Sequence, residues 1–178
     1  MKTATFSLKS LACAGVLSAA SASASAQHSH GTSPYAHSRS PEVPSLSSDE
    51  VRELRNGEGM GLARAAELNH FPGPTHLLEL SVELGLGDAQ IGRIEEIHRK
   101  MKARAIAKGE EVLEAELHLS NLFASGQPSA PVLTRMTEHL ALMRGQLQAI
   151  HLLAHIEAAE VLTVEQIEGY DRLRGYRH

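Results

Sequence analysis

Two histidines one helical turn apart, His151 and His155 in the stretch HLLAHIEAAE, are the residues whose types and spacing are best suited to chemistry. Side chains four positions apart share one face of a helix, so both imidazoles can turn toward one metal ion. Glu157 and Glu160 follow as candidate carboxylate ligands or as partners that orient the ligands. If the chain doubles back near Gln127, position 98 stands opposite position 156, which carries His98 toward His155 with Met101 one turn deeper. His139 and Met143, in HLALM, repeat the four-residue step with a thioether as the second donor. The sequence requires no cofactor, but these donors suit Zn, Cu, Ni or Co. The competing reading is packing: HxxxH without the glutamate of HExxH is only a two-ligand spacing, it lies beside a leucine seam, and Met143 is on that seam.

Directly after the histidines comes LTVEQ, in which Thr163 and Gln166 have the spacing of a capping box. The threonine hydroxyl accepts from the Gln166 backbone N–H while the glutamine side chain reaches back to the Thr163 N–H. Leu162 and Ile167 have the spacing of a hydrophobic staple, so the motif re-aims the chain into a short last helix and catalyses nothing. A weaker copy stands at Leu86 to Gln90, LGDAQ, where Gly87 replaces the threonine and the hydroxyl half of the box is lost.

The elements that must position these residues read as helices throughout. Ser47 and Glu50 open a short helix that Gly57 stops, MGLARAAELN forms a second, and Thr75 is expected to cap HLLELSVELG, which ends at Gly85. From Asp88 to about Phe123, residues Ile91, Ile94, Met101, Ala105, Val112, Leu119 and Phe123 recur at helical steps, predicting one rod of roughly 50 Å. ASGQPSAP breaks it, with Pro131 suited to the first turn of the next helix. There Leu133, Met136, Leu140, Met143, Leu147, Ile150, Ala154 and Val161 make a seam for an antiparallel neighbour. Gly109 and Gly145 are equally far from the turn and could mark a close approach of the two rods. The fold class is therefore all-α, a long antiparallel hairpin with short flanking helices. So slender a hairpin buries little alone, which predicts a homodimer.

The chain of 178 residues begins with a basic stretch, a short apolar run and small residues up to Ala26. That pattern predicts a secretory signal peptide over 1–26 and a periplasmic location. The apolar run is too short to anchor, so the mature chain should contain no transmembrane segment. Residues 27–47 are rich in Ser, Pro and His, His28, His30 and His37 among them, and read as a flexible arm before a helical domain over 48–176. With 21 acidic against 17 basic residues, and Lys2 and Lys9 lost with the leader, the composition argues against nucleic-acid binding. An enzyme is not expected either, since there is no cysteine outside the leader, no GxSxG, no HExxH and no phosphate loop.

Two Leu-x-x-x-Gln boxes, one opening the hairpin and one following it, in an exported helical chain resemble the LTxxQ family of periplasmic proteins. That family is the Spy/CpxP group of refolding chaperones and stress adaptors, with ZraP-like and CnrX-like heavy-metal resistance relatives. The likeness covers roughly residues 75–175, and HLALM has the HxxxM spacing of the CnrX-like sensors. The resemblance implies a small curved homodimer that shields unfolded periplasmic proteins without ATP, or reports envelope stress to a membrane sensor. The block GMGLARAAELNHFPGPTHLLEL is similar to an N-terminal extension found in a branch of these proteins and carries no assigned activity.

On the first rod, basic residues crowd the first half and acidic ones the second, opposite to the order the helix dipole favours. Arg99, Lys102 and Arg104, with Met101 and Ile106 as adaptable apolar neighbours, are the candidate client-binding residues. The alternatives are an ordinary solvated surface for the charges and a dimer seam for the apolar groups. Metal binding or sensing through His98, His151, His155, His139 and Met143 is the alternative function.

Overall fold

The computed structural model describes Ser33, Tyr35 and residues 39–176. The expected leader, most of the arm, and His28, His30 and His37 lie outside the described residues. Among those described there are six α-helices and no strand. None of the helices is long and apolar enough to cross a membrane.

Helix α1, Ser48–Arg55, starts as its sequence dictates: Ser47 Oγ accepts from the Glu50 N–H at 3.1 Å and Glu50 Oε2 accepts from the Ser47 N–H at 2.8 Å. A single turn, α2 at Arg64–Glu67, follows, and then α3 at Pro74–Glu79. Here the structure corrects the expected cap. Gly73 is the N-cap, Pro74 takes the first turn and Thr75 lies inside the helix. A proline with fixed φ and no N–H to satisfy is suited to the first helical position, which moves the cap to the residue before it. Helix α3 ends at Glu79, and successive turns through Ser81–Gly85 carry Leu84 and Leu86 into the core.

Two long helices dominate, α4 at Asp88–Ala124 and α5 at Ala130–Ala159, and α6 at Val164–Arg174 closes the chain. They pack through Ile97, Met101, Ala105 and Val112 on α4 and Met143, Leu147, Ile150 and Ala154 on α5, all buried in one cluster. Polar contacts between the chain segments join Glu116 with Arg144, Lys108 with Met143, and Gln90 with Val161. A second cluster at the far end joins Leu77, Leu84, Leu86, Ile94, Ala158 and Tyr170.

The seam is not sealed along its whole length. Toward the turn Leu119, Leu133, Met136 and Leu140 are half-buried, and Phe123 is 54% exposed. The short elements cover the long pair only at its other end, so periodicity alone overstates the core near the turn. The opposite correction applies before α1. Val43 and Leu46, from the segment read as flexible arm, are 3% and 5% exposed and belong to the main cluster, while Ser45 Oγ donates to Glu116 at 2.9 Å. Two apolar residues set no period, yet they can fill a groove that α1 and α4 already form.

Gly109 also plays a different part from the one its spacing suggests. A Cβ there would stand 2.3 Å from the Leu54 carbonyl oxygen, so the missing side chain admits the end of α1. A Cβ at Gly145 would meet nothing within 4 Å. The close approach is therefore α1 on α4 and not α4 on α5.

Candidate functional site

Helix α5 buries both histidines of HLLAH, leaving His151 3% and His155 6% exposed. They line a cavity of about 660 Å³ together with His98, Met101 and Lys102 of α4, and its outer wall comes from the turn around Gly57–Gly61 and the start of α3, Gly73 to His76. His155 Nδ1 lies 2.8 Å from the Phe71 carbonyl oxygen, an acceptor only, so Nδ1 is the donor and in the neutral ring the lone pair is on Nε2. That Nε2 is only 3.0 Å from where a Cβ on residue 73 would stand, and glycine leaves the space open.

His151 Nε2 is buried and has no hydrogen-bond partner. Leaving a buried polar atom unmatched costs about 1–3 kcal/mol. Burial, and secondarily the neighbouring His155, hold the His151 pKa below its ordinary value. Burial followed by the Lys102 charge does the same to His98. Both rings are thus biased toward the neutral form that can donate a lone pair.

His98, His151, His155 and Met101 share one cavity. Among the described residues, however, no three His, Cys, Asp or Glu side chains converge closely enough to hold one ion. Glu157 is on the other side of α5, in a separate groove beside Arg99 and Lys100, and Glu160 caps the helix end. The cavity wall carries the carboxylates of Glu58 and Glu67, and Glu67 Oε1 is 4.0 Å from His155 Nδ1. Glu67 Oε2 accepts from the hydroxyls of Tyr170 at 2.8 Å and Tyr176 at 3.1 Å. Burial, reinforced by this bond to Glu67, raises the Tyr170 pKa. His139 and Met143 are separated by environment, since Met143 is in the core while His139 is exposed in a shallow groove with His118 and Arg135.

Gly73, Phe71, Glu67 and Tyr170 were not singled out by sequence. Glu67 and Tyr170 are more than a hundred positions apart, and no helical period links them. The one available signal was FPGP, whose prolines and glycine fix a tight wall that can approach a helix closely.

The two Leu-x-x-x-Gln boxes meet in space. Thr163 Oγ1 accepts from the Gln166 N–H at 3.3 Å and Gln166 Oε1 accepts from the Thr163 N–H at 3.0 Å, a full capping box. At the other copy only Gln90 Oε1 is engaged, accepting from the Gly87 N–H at 3.1 Å. The side-chain amides of Gln90 and Gln166 then bond each other in both directions, and Gln90 Nε2 also donates to the Val161 carbonyl at 2.9 Å. Leu86 is buried and Leu162 half-buried beside this clasp.

The candidate client-binding residues divide between two faces. Lys102 faces the histidine cavity, and Ile106 is beside Gly57. Arg99 and Arg104 rim a groove of about 260 Å³ with Ile150 and Leu153, and Met101 reaches the walls of both spaces. An adjoining groove continues along α4 and α5 through Arg104, Lys108, Ala149 and Leu153.

The class defined by these features is an all-α domain built on two long packed helices, with a histidine-lined cavity at one face and a basic, partly apolar groove at another. No family model, curated protein or solved structure matches the chain.

Proposed function

We propose that this protein is a periplasmic, ATP-independent refolding chaperone or envelope-stress adaptor of Spy/CpxP type, folded as an antiparallel hairpin and paired as a homodimer. Its partners are unfolded periplasmic proteins or a membrane stress sensor. The observation that carries this reading is the groove along α4 and α5, where Leu153 is 46% exposed beside Arg99, Arg104 and Lys108. Apolar surface flanked by cations suits segments of an unfolded chain that carry both hydrophobic and acidic residues. The two glutamine boxes support it as structural devices that brace one end of the long helices while the grooved face stays free.

The test is suppression of aggregation of a chemically denatured client without nucleotide. Suppression by the wild type, weakened several-fold by Arg99→Glu with Arg104→Glu and little changed by Lys102→Glu, is the expected outcome. Equal suppression by all three proteins contradicts the assignment of the groove.

A second reading, heavy-metal binding or sensing of ZraP/CnrX type, is favoured by one observation, the unpartnered Nε2 of His151 in its cavity.

A further inference from the structure

We propose that the cavity between α4, α5 and the Gly73 turn binds a single soft monovalent metal ion, Cu(I), through the imidazoles of His151 and His155 and the thioether of Met101. The proposal deepens the metal reading and is independent of client protection, because its test reads metal and not aggregation.

Three features converge. His151 is nine-tenths or more buried, lines the cavity, and has an Nε2 with no partner. His155 donates its Nδ1 proton to the Phe71 carbonyl, the arrangement that fixes the tautomer and orientation of a ligating histidine and frees Nε2. Gly73 keeps open the space next to that Nε2, which a Cβ would fill at 3.0 Å. Met101, 9% exposed, brings a soft donor to the same wall.

The donor set also selects the ion. Zinc sites take three or four N, O or S ligands from protein, and no trio of His, Cys, Asp or Glu is assembled among the described residues. Thioether and imidazole donors in low coordination suit Cu(I). Charge agrees with this. The cavity wall carries Arg64 and Lys102 against Glu58 and Glu67, and Glu67 is already engaged by two tyrosine hydroxyls. A site without surplus negative charge favours a monovalent cation over a divalent one.

The experiment is anaerobic competition of the full chain against a chromophoric Cu(I) chelator, repeated with Ag(I) as a redox-inert probe and with Zn(II) as competitor. One equivalent of Cu(I) should be withdrawn, Ag(I) should displace it, and excess Zn(II) should not. Met101→Leu preserves side-chain volume and should keep the circular dichroism and melting temperature while weakening Cu(I) binding at least tenfold. It should also remove the sulfur scatterer from the X-ray absorption spectrum of the Cu(I) complex. His151→Gln should weaken binding further; if that variant does not fold, Met101→Leu decides alone. Unchanged Cu(I) affinity in Met101→Leu, no Cu(I) withdrawn by the wild type, or displacement by Zn(II) overturns the proposal.

Discussion

Gln90 Nε2 donates to Gln166 Oε1 at 2.8 Å while Gln166 Nε2 donates to Gln90 Oε1 at 3.1 Å, a reciprocal amide pair joining the starts of α4 and α6. Each Oε1 also accepts a backbone N–H, from Gly87 or from Thr163. The two motif copies are thus halves of one clasp, and the glutamines are shared between capping a helix and holding the helices together.

This clasp predicts non-additivity. Gln90→Ala and Gln166→Ala should each cost about 1–2 kcal/mol, from a lost cap bond and a lost inter-helix bond. The double variant should cost less than the sum, with a coupling of about 0.5–3 kcal/mol. Urea denaturation of the four proteins measures it, and strict additivity would show that the amides do not cooperate.

Glycine replacement should have opposite signs at two positions on the long helices. Gly109→Ala would force a methyl against the Leu54 carbonyl and should destabilise by about 1–3 kcal/mol despite better helix propensity. Gly145→Ala meets open space and should stabilise by up to about 1 kcal/mol. Thermal unfolding of the two variants checks the sign of each.

Leu46 is as much a core residue as any on the long helices, so Leu46→Ala should cost about 2–5 kcal/mol, whereas a flexible-arm residue would cost nothing measurable. Equilibrium denaturation distinguishes the two.

Tyr170 predicts an alkaline dependence. Its folded pKa is raised above the ordinary value of about 10, so its contribution to stability is present below about pH 10 and is lost as pH rises beyond it. Tyr170→Phe should cost about 1–3 kcal/mol at neutral pH by leaving Glu67 with fewer donors, and should flatten the alkaline loss. Melting temperatures from pH 8 upward read both effects.

The long helices, the turn between them, the first and last capping boxes and the Pro131 start were legible because each rests on local chemistry: a 3.6-residue period, a hydroxyl three residues before a carboxamide or carboxylate, a ring that fixes φ. The shared cavity of His98, His151 and His155 was legible from counting back across the turn. Its outer wall was not. Gly73, Phe71 and Glu67 act through tertiary contacts with residues 82 to 109 positions away, and such contacts leave no periodic trace. The docking of Val43 and Leu46 was hidden for the same reason, and the split of Arg99 and Arg104 from Lys102 depends on which side of α4 the short helices cover.

The most direct measurement of client binding is photo-cross-linking from a reactive group placed at Leu153, in the basic groove, against the same group at Val82, which is 88% exposed and outside that groove. Val82 controls for general stickiness because it is the more exposed apolar residue. Adducts with a denatured client from position 153, and few or none from position 82, are predicted. Equal yields from both positions, or adducts from position 82 alone, would contradict the assignment of the α4 and α5 groove as the client surface.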